Sequence, residues 1–158
     1  MQKFHLGIDI AKAKLDCALR LPDGKFRSKV VENSPHGFED LIVWLEKHSA
    51  ASVHVCMEAT GVYWEAVAEY LANQGIAASV VNPSQIKSFG RSRMVRTKTD
   101  KIDAQLIAEF CQERSPELWQ APSLSEQALR AMVLRLEALQ TMRTQESNRL
   151  EVARDAVK

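Results

Sequence analysis

Cysteine is scarce in the 158-residue sequence. Three residues, an odd number at no metal-ligand spacing, argue against a disulfide framework and a zinc site and place the thiols in a reducing, cytosolic setting. Glycine numbers six and never clusters, so glycine-rich phosphate-binding turns are missing, and no internal repeat or low-complexity segment stands out. No run approaches the ~20 apolar residues of a membrane span, and the opening MQKFHLGIDI turns acidic too early for a signal peptide. An excess of either charge is also lacking. Lys and Arg total 21 against 20 Asp and Glu, so any case for a polyanionic partner must rest on local charge. What is present is an ordinary globular composition, 46% hydrophobic and 26% charged, at a length close to the ~150 residues of one domain with a small appendage.

Phe4, Leu6, Ile8 and Ile10 alternate with His5, Gly7 and Asp9, the period of a strand with one apolar face and Asp9 on the other. Leu15, Cys17, Leu19 and Leu21 repeat the alternation, and Pro22-Asp23-Gly24 turns the chain into a third strand, Lys25 to Glu32. Ser34-Pro35 then carries the cap-plus-proline signature of a helix start, followed by Phe38, Leu41, Ile42 and Leu45 at helical spacing. Val53 to Met57 predicts a fourth strand ending at Glu58, and Thr60 a cap for a helix with Trp64, Val67, Ala68 and Leu71 on one stripe. Ile76 to Val81 is a fifth strand, ended by a turn at Asn82-Pro83. The order β-β-β-α-β-α-β-α predicts a ribonuclease H-like α/β fold, a mixed five-stranded sheet with flanking helices.

Beyond Val81 the chain is basic. Residues Ser88 to Lys98 lack an apolar period and read as a loop, and Thr99 can cap a helix with Ile102, Leu106, Ile107 and Phe110 as its packing positions. Pro116 and Pro122 punctuate a linker, 116–124. From 125 to 158 no Gly or Pro intervenes, and Leu129, Leu136, Leu150 and Val157 fall on a heptad with Arg143 and Glu146 interrupting its seam, so a long helix that starts a coiled coil is expected after a domain of residues 1–115. The helix runs to the last residue without a cap, which suggests the front part of a longer protein.

Four acids occupy distinctive positions: Asp9 in the first strand, Glu58 at the end of the fourth, and Asp100 and Asp103 on one helix. Residues three apart on a helix lie ~5–6 Å apart at Cβ and can serve one site. Mg²⁺ or Mn²⁺ takes carboxylate oxygens and leaves room for water and phosphate, and a metal so held polarises a phosphodiester. Acids in a helix's first turn also stabilise its dipole by ~0.3–1 kcal/mol without any metal, so the Asp100 and Asp103 pair alone leaves both readings open. Asp9 is less easily dismissed, because Asp is depleted in strands and here breaks an apolar run. Glu58 is either a solvated strand end or a functional group at the place where such groups concentrate.

Lys87, Arg91, Arg93, Arg96, Lys98 and Lys101 lead directly into the aspartate pair, which favours contact with nucleic-acid phosphates over a merely solvated loop. His5 and His54 read as satisfied sheet histidines, Cys17 and Cys111 as buried thiols, and Tyr63 and Trp64 as packing aromatics more than base-stacking platforms.

The segments GIDIAKAKLD, CMEATGVYWE, VVNPSQIKSFG and RTKTDKIDAQLIAEF resemble, in that order, the N-terminal RuvC-like DEDD domain of the insertion-sequence transposases numbered family one-ten, relatives of the Piv DNA invertases. The resemblance implies that Asp9, Glu58, Asp100 and Asp103 are an acidic catalytic tetrad binding Mg²⁺, with Mn²⁺ an alternative. It also implies a transposase or site-specific recombinase that mobilises an insertion sequence by DNA strand cleavage and exchange. Its partners would be donor and target DNA and a structured bridge RNA, and it would form a dimer or tetramer through the long helix in a cytoplasmic, nucleoid-associated setting. Family members carry a further C-terminal domain with a serine nucleophile. Ser84, Ser88 and Ser92 are not assigned that role, and this chain alone is expected to be an incomplete enzyme. Two other readings compete: a non-catalytic RNA-binding and oligomerisation module, and an actin-like ATPase, which the scarcity of glycine disfavours.

Overall fold

A computed structural model of the chain describes residues 3–94 and 97–153. Strands β1 (Phe4–Ile10), β2 (Lys14–Arg20) and β3 (Phe26–Glu32) form an antiparallel meander, and β4 (Val53–Glu58) and β5 (Ala77–Val81) join it in parallel. The order across the sheet is β3-β2-β1-β4-β5. Helices α1 (Pro35–Lys47) and α2 (Glu65–Asn73) provide the crossovers, and α3 (Pro83–Ser92) and α4 (Asp100–Arg114) follow β5.

Alternation along the strands assigns the two faces. Leu6, Ile8, Val55 and Met57 point to one side and pack with Phe38, Leu41 and Leu45 of α1 and Val67 and Leu71 of α2. The opposite side carries a smaller cluster in which Cys56 and Val81 meet Ile86 and Phe89 of α3 and Ile107, Phe110 and Cys111 of α4. Gly7 lies on that second side, where α4 approaches closely. A Cβ at Gly7 would lie 2.5 Å from the Ala108 nitrogen and closer still to the Ala104 carbonyl oxygen. The cross-strand neighbours Ala18, Gly7, Cys56 and Ser79 therefore form a row of small residues on which α4 rests.

Helix starts follow the capping chemistry. Ser34 and Thr99 accept the N–H of Gly37 and Ile102 at the heads of α1 and α4. Thr99→Ala is expected to cost about 1 kcal/mol, seen as a lower urea midpoint at unchanged slope. Two expectations are corrected. Asn82 is a helix cap, not merely a turn: its side chain accepts from Ser84 N–H, Pro83 takes the first position, and residues read as loop from Ser88 belong to α3. Thr60 caps no helix; α2 begins only at Glu65, and the Thr60 hydroxyl donates instead to Glu58 Oε2 at 3.4 Å.

The chain divides into two compact units, 1–121 and 122–158. In the first, Trp119 N–H donates to Ala78 O at 2.8 Å and its ring packs edge-on against Trp64 at 5.9 Å, so the segment after α4 is tied to the edge strand β5. The second contains helix α5 (Leu124–Val152), headed by a reciprocal capping box between Ser123 and Glu126. Leu129, Met132, Leu136 and Leu139 on α5 are all exposed. The last turn expected of this helix, 154–158, lies outside the described residues.

A candidate metal centre at the acidic end of the sheet

The parity that puts Gly7 under α4 also puts Asp9 on the α4 face, two residues along β1. Glu58 stands two residues after Cys56 on β4 and takes the same face. Asp16 of β2 is the direct cross-strand partner of Asp9. Helix α4 begins over this end of the sheet, with Asp100 and Asp103 in its first turn. Carboxylate oxygens of Asp9, Asp16 and Asp100 lie within 4.8 Å of one another. Three hard oxygen donors gathered in this way could hold a divalent cation.

The electrostatics record the crowding. Asp9 has its pKa raised to about 6, first by burial and then by the charges of Asp103, Asp100, Glu58 and Asp16. Glu58 is raised chiefly by burial and further by Asp103, while the Thr60 hydrogen bond and Lys98 act against the rise. Asp103 is raised by burial and Asp100, with Lys98 opposing. Asp100 goes the other way: Lys14 Nζ stands 2.8 Å from its Oδ2 and holds it below the ordinary value. The same ammonium lies 3.0 Å from Asp16 Oδ2, and both carboxylates push the Lys14 pKa upward.

Of the four acids anticipated from the sequence, Asp9 and Asp100 lie at ligand spacing with a fifth, Asp16, while Glu58 and Asp103 stand outside that group and reach Asp9 through their charge. Asp16 escaped sequence reading because its place depends on strand register. The signal was present in the alternation of β2, where Asp16 breaks an apolar strand as Asp9 does in β1.

The basic residues divide. Lys98 is close enough to oppose the rise at both Glu58 and Asp103. Lys87, Arg91 and Lys101 are exposed and form no ion pair among the described residues. Arg93 is engaged within the fold, pairing with Glu109 and Glu113 of α4 while its guanidinium lies 4.9 Å from the Phe89 ring centre. Arg96 lies outside the described residues. Trp64 packs against the main core, whereas Tyr63 is exposed. Cys17 and Cys111 are buried, and burial pushes the Cys17 thiol up to about 12.

Residues 6–155 match the transposase family designated DEDD and IS110. The chain belongs to this family. Among curated relatives, the pilin gene-inverting protein of Moraxella bovis is 36% identical over 135 residues, covering 84% of this chain and 42% of that protein. The same protein of Moraxella lacunata matches with the same figures. The chain therefore spans less than half the length of these relatives. Among solved structures, Thermus thermophilus RuvC in complex with Holliday junction substrate aligns with a TM-score of 0.51 at 15% identity, over 74% of this chain and 99% of that one. A second RuvC structure from the same organism gives 0.50 at 15% identity, over 73% and 99%. At such identities the likeness is one of fold, and the domain is RuvC-like, of the ribonuclease H type. No helix among the described residues is long and apolar enough to cross a membrane.

Proposed function

We propose that this transposase-family domain is the metal-dependent catalytic part of a recombinase that mobilises an insertion sequence by DNA strand cleavage and exchange. The observation that carries the reading is the grouping of Asp9 with Asp16 and Asp100, at a place where burial first, and then the charges of Asp103, Asp100, Glu58 and Asp16, raise Asp9 to about 6. Acids that repel one another at the end of a sheet are costly unless a cation joins them. Asp9, Glu58, Asp100 and Asp103 would hold Mg²⁺ or Mn²⁺, with Asp16 beside Asp9. When bound, the metal supplies charge stabilisation for the attacking and leaving oxygens of a phosphodiester. Lys98, with Lys87, Arg91 and Lys101, would draw donor or target DNA toward the acids, and a structured guide RNA would supply sequence choice. Residues 1–115 make up the catalytic domain, 116–124 lead out of it, and the apolar stripe of α5 is an oligomerisation surface leading toward a separate serine-bearing domain.

A specific feature favours the alternative, a non-catalytic module for RNA binding and oligomerisation. Lys14 already bridges Asp100 and Asp16 and satisfies two of the acids without a metal. Calorimetric titration with Mg²⁺ or Mn²⁺, with and without DNA or RNA, separates the two. Wild-type binding that weakens about tenfold or more in both Asp9→Asn and Asp103→Asn, each folded by circular dichroism, is the result expected of the metal centre. No binding by the wild type under either condition would assign the acids to the scaffold.

A further inference from the structure

The α4 face of the sheet has a second end. On β1 the residue two before Gly7 is His5, on β4 the residue two before Cys56 is His54, and on β2 the residue two after Ala18 is Arg20. Register makes Arg20, His5 and His54 direct neighbours in one cross-strand row. That row stands four residues back along β1 from Asp9, about 13 Å at ~3.3 Å per residue. The two ends of this face are opposite in character: acids converge at one, and cations and histidines at the other.

Over the row opens a cleft of about 480 Å³ whose lining includes Lys3, His5, Arg20, Ser52, His54 and Gln112. The described lining residues include no Asp or Glu, so the charges of Lys3 and Arg20 are not neutralised locally. Arg20 forms no ion pair among the described residues, and its Nε is buried without a partner. His5 is 91% buried by residue, being 9% exposed, and its ring makes no hydrogen bond among the described residues. Its ring centre is 6.4 Å from that of His54.

His54 and Ser79 superficially form a catalytic dyad, with Nε2 and Oγ 2.7 Å apart. Ser79 is fully buried, however, and its hydroxyl donates to Pro116 O at 3.0 Å. The single hydroxyl proton is thereby engaged, so His54 Nε2 must be the donor in the short contact. This assigns the Nε2–H tautomer and leaves Nδ1 as the free position. The pair is a fixed orienting contact that sets the ring of His54 beside that of His5.

We propose that this cleft is a phosphate-binding site. Two nearby cations without local counter-charge, an unpartnered buried imidazole and neutral donors from Ser52 and Gln112 fit a tetrahedral dianion or a phosphodiester. Burial lowers the pKa of both histidines, and at His5 the neighbours His54, Arg20 and Lys3 lower it further. Both rings are therefore neutral near pH 7 in the free protein, and an arriving anion favours their protonation. The groups facing them are Lys3 from the start of β1, Arg20 from β2, and uncharged Ser52, Gln112 and Ser115. Phosphate uptake is accordingly linked to proton uptake, whether the phosphate is free or part of a nucleic acid.

The test uses ¹H–¹⁵N histidine spectra of the full 158-residue chain titrated with inorganic phosphate at constant ionic strength. His36 and His48, on α1 and at its end, serve as internal references. Expected are saturable shifts of His5 and His54, a rise of about 0.5 or more in their titration midpoints, and about tenfold weaker binding in Arg20→Gln. Two single-stranded oligonucleotides, with and without a 5′-phosphate, identify the source. Preference for the phosphorylated strand marks a nucleic-acid end, equal binding marks the backbone, and response to inorganic phosphate alone marks a free anion. Should His5 and His54 move no more than the two references, or respond unchanged in Arg20→Gln, the proposal is overturned. Neither result bears on the carboxylates at the other end of the sheet.

Discussion

Replacing Asp9 with Asn is expected to stabilise the metal-free protein at pH 7 to 8. Asp9 titrates near 6 in the fold against an ordinary 3.8. Between those values the folded chain holds a proton that the unfolded chain has released, so stability is greatest below about pH 4 and falls as pH rises through 6. A shift of that size corresponds to about 3 kcal/mol for a shielded group; with Asp9 half exposed, on the order of 1–2 kcal/mol is expected after solvent screening. Thermal melts in EDTA at pH 7.5 should place Asp9→Asn roughly 3–8 °C above wild type, and the gap should close by pH 4. Added Mg²⁺ should reverse the order, because only a protein that binds the ion in its folded state gains from it. A variant less stable than wild type in EDTA at pH 7.5 would show that burial and the neighbouring acids do not raise Asp9.

The second large effect is expected at Gly7. A methyl group there cannot coexist with the present position of α4, because it would press on backbone at Ala104 and Ala108 and no side chain can swing away. Gly7→Ala should cost about 3 kcal/mol or more, at the upper end for overpacking. Any folded remainder should have α4 lifted from β1, taking Asp100 and Asp103 away from Asp9 and abolishing metal binding together with the stability. Gly75→Ala is the control. Its position has open space around it and a φ of 71°, so only the left-handed backbone penalty of about 1 kcal/mol applies. Equal midpoints for the two variants in urea would show that the helix and strand are not in tight contact.

Much of the arrangement was legible in the alternation of apolar residues, because a sheet buried on one face imposes a period of two on its strands. Asp9 could be placed on the face opposite Leu6 and Ile8 without coordinates, and the element order predicted the five-stranded mixed sheet. Helix α3 was less visible. Its start carries the same cap-and-proline chemistry that identified α1, and Ile86, Phe89 and Gly90 fall at helical spacing. Gly90 brings no apolar side chain, however, and the helix is only 10 residues long, so the basic run after it masked the pattern. Asp16 interrupts the apolar pattern of β2, but its place opposite Asp9 is a property of register, and the Arg93 pairing is one of packing. The histidines were separable only in three dimensions: both sit in strands and line the same cleft, yet His54 is held by Ser79 while the ring of His5 has no hydrogen-bond partner among the described residues.

The acidic centre also has a history along the chain. Asp9 and Asp16 face each other across a tight antiparallel pair, so that half can form as soon as β1 and β2 pair, a local event on a microsecond scale. Asp100 comes from 86 residues beyond Lys14, on helix α4 where that helix rests on Gly7. Lys14 is the residue that spans the interval. Being two residues from Asp16, it can neutralise that carboxylate in the isolated hairpin and then accept Asp100 as a second partner when the helix docks. Long-range closure is the slow part of folding. The acidic cluster is therefore complete only when segments far apart in the chain have met, and any ion it took up would report that closure.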